Sequence, residues 1–250
     1  VNNAEVYGHH YAGVIIGNAT CAKIENCHVE NAIVASTPHE KNDANHVGGI
    51  AGYLVADGGA AHIKNCSVKN AEISGFRDVA GITGTASAAN VVVTGNRVEN
   101  VTVTADQTVE YVDNDKDGNA GAIIGRYLNT KEENIKDNTV GENVVVIRKV
   151  DTTEEMEYAV ADAQNGDTIY VGNGEVALPH FNKALNFVGE HANAAIAEPV
   201  SSHIDTFWQG AELNFTNLKI KATSYTGKAN GYVKSAKEAY TNCKFVDGYY

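Results

Sequence analysis

Asp113, Asp115 and Asp117 alternate with Asn114 and Lys116, and Gly118 follows them. Oxygen donors at every second position, closed by a glycine that allows a sharp bend, make the first half of a loop that wraps a calcium ion. The last position of such a loop carries a bidentate glutamate; Ile124 stands there, so Asp106 or Glu110 would have to help complete the shell. The other use of the run is a solvated acidic turn inside a long insertion. Trp208, next to Phe207, is the single tryptophan. An exposed indole face stacks on sugars, whereas an indole packed into a cap serves as core, and both uses fit this residue.

The remaining reactive side chains form no recognisable pattern. Nine histidines are scattered, none in an HExxH run or an i,i+4 pair, so a loop-surface role is expected for them. Cys21, Cys27, Cys66 and Cys243 include no CxxC, which removes the zinc-site signal. The net charge of -12 disfavours nucleic acid or an anionic membrane as partner. No apolar run approaches the roughly 20 residues needed to cross a bilayer.

What must position these residues is a repeat. The phrase Ala12-Gly13-Val14-Ile15-Ile16-Gly17 returns as Gly48-Gly49-Ile50-Ala51-Gly52, as Ala80-Gly81-Ile82-Thr83-Gly84, and as Ala120-Gly121-Ala122-Ile123-Ile124-Gly125. A second phrase follows each one: residues 24–34 (IENCHVENAIV), 63–73 (IKNCSVKNAEI), 93–103 (VTGNRVENVTV) and, more loosely, 135–146. Asn26, Asn65, Asn96 and Asn138 are spaced by 39, 31 and 42 residues, and Asn242 opens a later copy. Preserved phrases at unequal spacing imply loops of variable length on a fixed coil. The phrases are short, β-branched and bounded by Gly or Asn, and Val68 to Ile73 alternates apolar with polar residues. Such units bury their apolar faces only by stacking. The expected fold is therefore all-β, a right-handed parallel β-helix. Its asparagines are expected to stack in one phase, with Cys27 and Cys66 stacked as free thiols. A Cys27–Cys66 disulfide is within reach of one coil, but Cβ atoms pointing the same way disfavour it.

The pattern breaks near residue 150. Thr152-Thr153-Glu154-Glu155 reads as a capping box with Thr152 as N-cap and Glu155 at N3. Met156, Ala159, Val160 and Ala163 mark one helical face, and Asn165-Gly166 is a stop. One short capping helix is expected near 152–165. The strand Asp167-Thr168-Ile169-Tyr170-Val171 follows it, and later Ala184 to Gly189 and Leu213 to Ile220.

These runs carry two resemblances. GGIAG, AGITG and AGAIIG, within 1–149, resemble the GLUG-motif repeats of bacterial surface proteins. GDTIYV and LNFVG, after the helix, make 150–250 similar to the N-terminal cap and first coils of pectin-lyase-like β-helix proteins. The resemblances imply export, a bacterial cell-surface or extracellular location, multi-domain parents and adhesin roles with glycans or host surface proteins as partners. They also imply, as an alternative, a polysaccharide lyase or hydrolase with its groove in further coils. A phage-type fibre segment is a third reading. The paired carboxylates of a glycosidase do not recur in one phase of the repeat. The expectation is a non-catalytic module with no cofactor beyond a calcium ion. Because the sequence opens inside one repeat and closes inside another, the parent chain is expected to continue on both sides.

Overall fold

The computed structural model describes residues 1–36, 46–106, 120–179, 181–197, 212–221 and 237–246. Contacts divide the chain into two compact units, Val1–Ile147 and Arg148–Tyr250. As expected, the chain is all-β with parallel sheets, and among the described residues it has one α-helix.

In the first unit the chain visits four parallel sheets in a fixed order. Sheet A holds Asn2–Gly8, His28–Ser36, Ser67–Gly75 and Arg97–Asp106. Sheet B holds Tyr11–Gly13, His46–Gly48, Val79–Ala80 and Ala120–Gly121. Sheet C holds Ile16–Thr20, Ala51–Val55, Thr83–Ser87 and Ile124–Leu128, and sheet D holds Lys23–Glu25, Ala61–Lys64, Val91–Thr94 and Ile135–Lys136. Each pass runs A, B, C, D and returns to A. Residues in register form apolar columns inside: Val29, Val68 and Val98; Val34, Ile73 and Val103; Ile24, Ile63 and Val93. β-Branched side chains suit such columns because they pack against their register neighbours on a pleated surface.

Two of the four corners are constant. Between B and C there are always two residues, and between D and A always two. The D–A corner turns on a left-handed residue: Asn26, Asn65, Gly95 and Asp137 have φ of 55°, 52°, 67° and 58°. Asn, Asp and Gly are the residues that adopt this conformation at least cost. The register corrects the expected asparagine phase. Asn96 and Asn138 stand one place later, in the column of Cys27 and Cys66, where the Asn96 side chain accepts from Cys66 N at 2.9 Å and Asn138 accepts from Asn96 N at 3.0 Å.

A second correction lies within sheet A. Val68, Ala71 and Ile73 are buried, so the inward set skips a residue instead of alternating strictly. The skip falls at Asn70, with φ 52°, and recurs at Asn31 and Asn100. Here the stacked asparagines appear. Asn143 donates to Asn100, Asn100 to Asn70, Asn70 to Asn31 and Asn31 to Asn2, at 2.9, 3.0, 3.2 and 2.9 Å.

The B–C corner is set by close approach. Gly17, Gly52, Gly84 and Gly125 hold one place in successive passes of sheet C. A Cβ on Gly17, Gly52 or Gly84 would sit 2.8, 2.6 or 2.4 Å from the carbonyl oxygen of Tyr11, His46 or Asp78, six residues earlier. The preceding glycine place is less strict, since Ala80 occupies it in one pass.

In the second unit, Thr168–Val171, Ala184–Gly189, Glu212–Thr216 and Lys237–Thr241 pair in parallel. Glu175–Ala177, Ala195–Ala197, Lys219–Lys221 and Lys244–Val246 form a second parallel set. Phe187, Phe215 and Tyr240 stack in register, with ring centroids 5.5 and 5.1 Å apart. Helix α1 (Thr153–Asp162) has the expected capping box: Thr152 Oγ1 accepts from Glu155 N, and Glu155 accepts from Thr152 N. It ends at Asp162, short of the expected stop, with Ala163 as C-cap. Lys183 Nζ donates to the Val160 and Ala161 carbonyls at 2.8 and 2.7 Å, supplying the cation that the last turn lacks. Met156, Ala159, Val160 and Ala163 are buried in the unit's core, as the helical face predicted.

Two outcomes follow for unfolding in urea. Gly84→Ala places a Cβ against three backbone atoms and is expected to cost at least about 2 kcal/mol, with Gly174→Ala near neutral. Asn70→Ala loses both the ladder and the left-handed preference, costing about 2 kcal/mol, whereas Asn70→Gly keeps the conformation and loses about half of that. Equal effects of the two Asn70 variants would contradict this account.

Candidate functional sites

Outward-facing columns of sheets B and C meet above the glycine column. Tyr11, His46 and Asp78 occupy one register place on B; Asn18, Tyr53, Thr85 and Arg126 occupy one on C. The small glycines let the two columns approach, and a polar cluster forms there. His46 Nδ1 lies 2.8 Å from Asp78 Oδ2 and 2.7 Å from Thr85 Oγ1, and Thr85 donates to Asp78 Oδ2 at 3.1 Å. Arg126 stands 3.9 Å from the same oxygen. Tyr11 stacks on the His46 ring at 5.2 Å and Tyr53 meets its edge at 4.9 Å. Asp78 and Thr85 are 0% exposed.

The residue types are those of a hydroxyl nucleophile, a base and an orienting carboxylate, but the geometry differs. In an acyl-transfer triad the hydroxyl and the carboxylate sit on opposite ring nitrogens, so the imidazole can take a proton from one while held by the other. Here both contact Nδ1. The hydroxyl proton goes directly to the carboxylate, and burial keeps substrate away from Thr85. The arrangement ties adjacent passes together. Sequence reasoning placed His46 on a loop and missed the cluster, because its members are spread over several passes. Their one sequence signal is position: His46 and Asp78 directly precede the apolar residue of the glycine phrase, and Thr85 follows its last glycine.

Ion pairs also form away from this cluster. Arg97 pairs with Glu99 at 2.9 Å, and Arg148, 1% exposed, with Asp167 at 2.6 Å. Hydrogen bonds from Arg97 and then Lys69 hold the Glu99 carboxyl below the usual range. Burial raises Glu155 above it, although the backbone N–H groups of Asp151 and Thr152 oppose the shift. The cysteines are free thiols, as expected. Cys27 N donates to Cys66 Sγ at 3.4 Å, and burial pushes the Cys66 thiol pKa up.

The second unit carries an open groove of about 360 Å3, lined by Glu190, His191, Asn217, Lys219, Asn242 and Lys244 among others. Asn217 and Asn242 are left-handed, with φ of 58° and 53°, and Asn242 donates to Asn217 Oδ1 at 2.8 Å. The candidate calcium ligands Asp113, Asp115 and Asp117, and Trp208, lie outside the described residues. Among the described residues no group of three His, Cys, Asp or Glu is placed to hold a metal ion. None of the described helices is long and apolar enough to cross a membrane.

The GLUG-motif family model matches residues 43–74. In the structure this stretch covers one pass, from His46–Gly48 through sheets C and D to Ser74, one residue before the end of the Ser67–Gly75 strand. No curated protein and no solved structure matches the chain.

The raised Cys66 pKa leaves less thiolate at any given pH, and its Sγ is buried. With a disulfide reagent at pH 8, exposed Cys21 is expected to react quickly and Cys66 only on unfolding. Labelling followed by peptide mass spectrometry reads this out, and equal native-state rates at the two sites would overturn it.

Proposed function

We propose that the chain is a non-catalytic β-helical module of an extracellular or cell-surface protein, a rigid coil that presents loops for binding. Residues 1–149 are read as GLUG-type repeats. Residues 150–250 are read as the helix-led first coils of a second, pectin-lyase-like β-helix. The cyclic order A, B, C, D supports the coil, and the strong preference of parallel crossover connections, about 98%, supports its right hand. The GLUG match supports the location, since the motif occurs in some extracellular and surface proteins.

One observation carries the display role. The B–C and D–A corners hold two residues in every pass, while the A–B corner holds two, nine, three and then thirteen. The C–D corner varies less, with two, five, three and six residues. A scaffold that keeps its register while two corners change length is suited to carrying variable loops, and loops on rigid frames are where binding residues concentrate. The acidic run Asp113, Asp115 and Asp117 falls in the longest of these insertions. A calcium ion held there would fix that loop for a partner.

Replacing 37–45 and 107–119 with short Gly-Ser linkers tests the reading. Loop length enters stability only logarithmically, so the variant is expected to unfold within about 1 kcal/mol of the parent. Binding on an array of glycans and immobilised matrix proteins is expected to fall. Unchanged binding after both replacements, or no binding by the parent chain, would overturn the display role. Release of reducing sugar from a polysaccharide would replace it with a catalytic one.

A further inference from the structure

The groove of the second unit contains an electrostatic arrangement that the fold does not explain. Lys219 and Lys244 are register partners on adjacent parallel strands. Adjacent strands lie about 4.8 Å apart, and like charges directly opposite one another destabilise a sheet. Nearby carboxylates are engaged elsewhere. Glu190, on the groove wall, pairs with Lys149 at 3.1 Å. Glu175, on the same strand set, pairs with Lys221 at 2.9 Å. Lys219 Nζ donates to Asn193 Oδ1, a neutral acceptor, at 3.3 Å. Lys244 is exposed and makes no ion pair among the described residues. Lys219 and Lys244 thus line one groove, and neither makes an ion pair among the described residues, on a chain whose net charge is -12.

We infer that this groove is a binding site for an oxyanion, a sulfate or carboxylate, carried on a sugar chain, with Lys219 and Lys244 sharing the anion. The anion supplies the charge that the lysine pair lacks. The rest of the lining fits a hydroxyl-rich body: Asn217 and Asn242 present side-chain amides, and His191 presents a ring nitrogen. The amide ladder holds these two side chains in place, since Asn242 already donates to Asn217. Gly189 lets its strand pack closely beside Asn217, because a Cβ there would meet the Asn217 carbonyl oxygen at 2.2 Å. The acidic net charge opposes long polyanions such as nucleic acid at a distance, so the site suits a short anionic segment. This site deepens the reading of the chain as a binding module and rests on it.

Titration calorimetry on the intact 250-residue chain tests the site. Three probes are used: a sulfated hexasaccharide, a uronate hexasaccharide and a neutral hexasaccharide. Saturable binding of at least one anionic probe, weakened by salt, is expected, with the neutral one silent. The preferred probe identifies the anion. Lys244→Gln is expected to weaken binding about tenfold or more, Lys244→Arg to retain most of it, and Lys219→Gln with Lys244→Gln to abolish it. Both lysines are at the surface, and a melting curve confirms that each variant is folded. No binding of either anionic probe, or binding that the double variant retains, would overturn the site. Glycan-array binding that persists in the double variant would overturn the site alone and leave the module reading standing.

Discussion

Backbone approaches backbone too closely for a side chain where the chain doubles back between sheets B and C. At Gly17, Gly52, Gly84 and Gly125 a Cβ would collide with neighbouring backbone. That contact lets sheets B and C meet closely, with consequences on both of their faces. Inside, it brings Ala12, Val47, Val79 and Ala120 toward the core. Outside, it brings His46 and Asp78 against Thr85 and Arg126. A glycine column is thus a steric requirement with two consequences, one apolar and one polar.

Hydrogen bonding along the stack complements that requirement. Each strand gains neighbours by its backbone, but the backbone alone would tolerate a slip by one residue. A slip of one place would turn every inward side chain outward. The asparagine ladder opposes this, since Asn31, Asn70 and Asn100 must each sit left-handed and in line to exchange amide bonds. Asn96 and Asn138 do the same at the next corner, where their side-chain oxygens accept from the backbone of the preceding pass. Buried His46 and Asp78 add an ionisable tie that would be costly to leave unmatched. Apolar columns supply most of the driving force, and the polar ladders select a single register.

Legibility in the sequence followed the range of the interactions. Local chemistry was readable: Thr152 and Glu155 cap α1 as their spacing indicates, and the apolar face of Met156, Ala159, Val160 and Ala163 is buried. The glycine and asparagine phrases showed the repeat and its parallel strands. Single-residue phase was harder. Asn96 follows Gly95 and Asn138 follows Asp137 where the copies at 26 and 65 have Asn followed by Cys, so matching residue type to residue type misplaces both by one. Backbone conformation decides the matter, because Gly95 takes the left-handed turn and frees Asn96 for the bonding position. The skip at Asn70 was hidden for the same reason, as strict alternation assumes that every residue is extended. His46, Asp78 and Thr85 had only their place beside the glycine phrase to mark them, since their meeting depends on register between passes of unequal length.

Register also governs how charge is arranged. A helix surface brings together residues three or four apart in sequence. A parallel stack instead brings together residues that are a whole pass apart, so each column samples distant parts of the chain. Where the sampled residues are complementary, the column closes on itself, as Lys69 does with Glu99 at 3.3 Å. Lys219 over Lys244 is a column that does not close. An unclosed column of like charge destabilises the stack in proportion to its burial, and at the edge of an open groove the cost is small. Small cost and steady field are the conditions under which a fold can hold a charge ready for something other than itself.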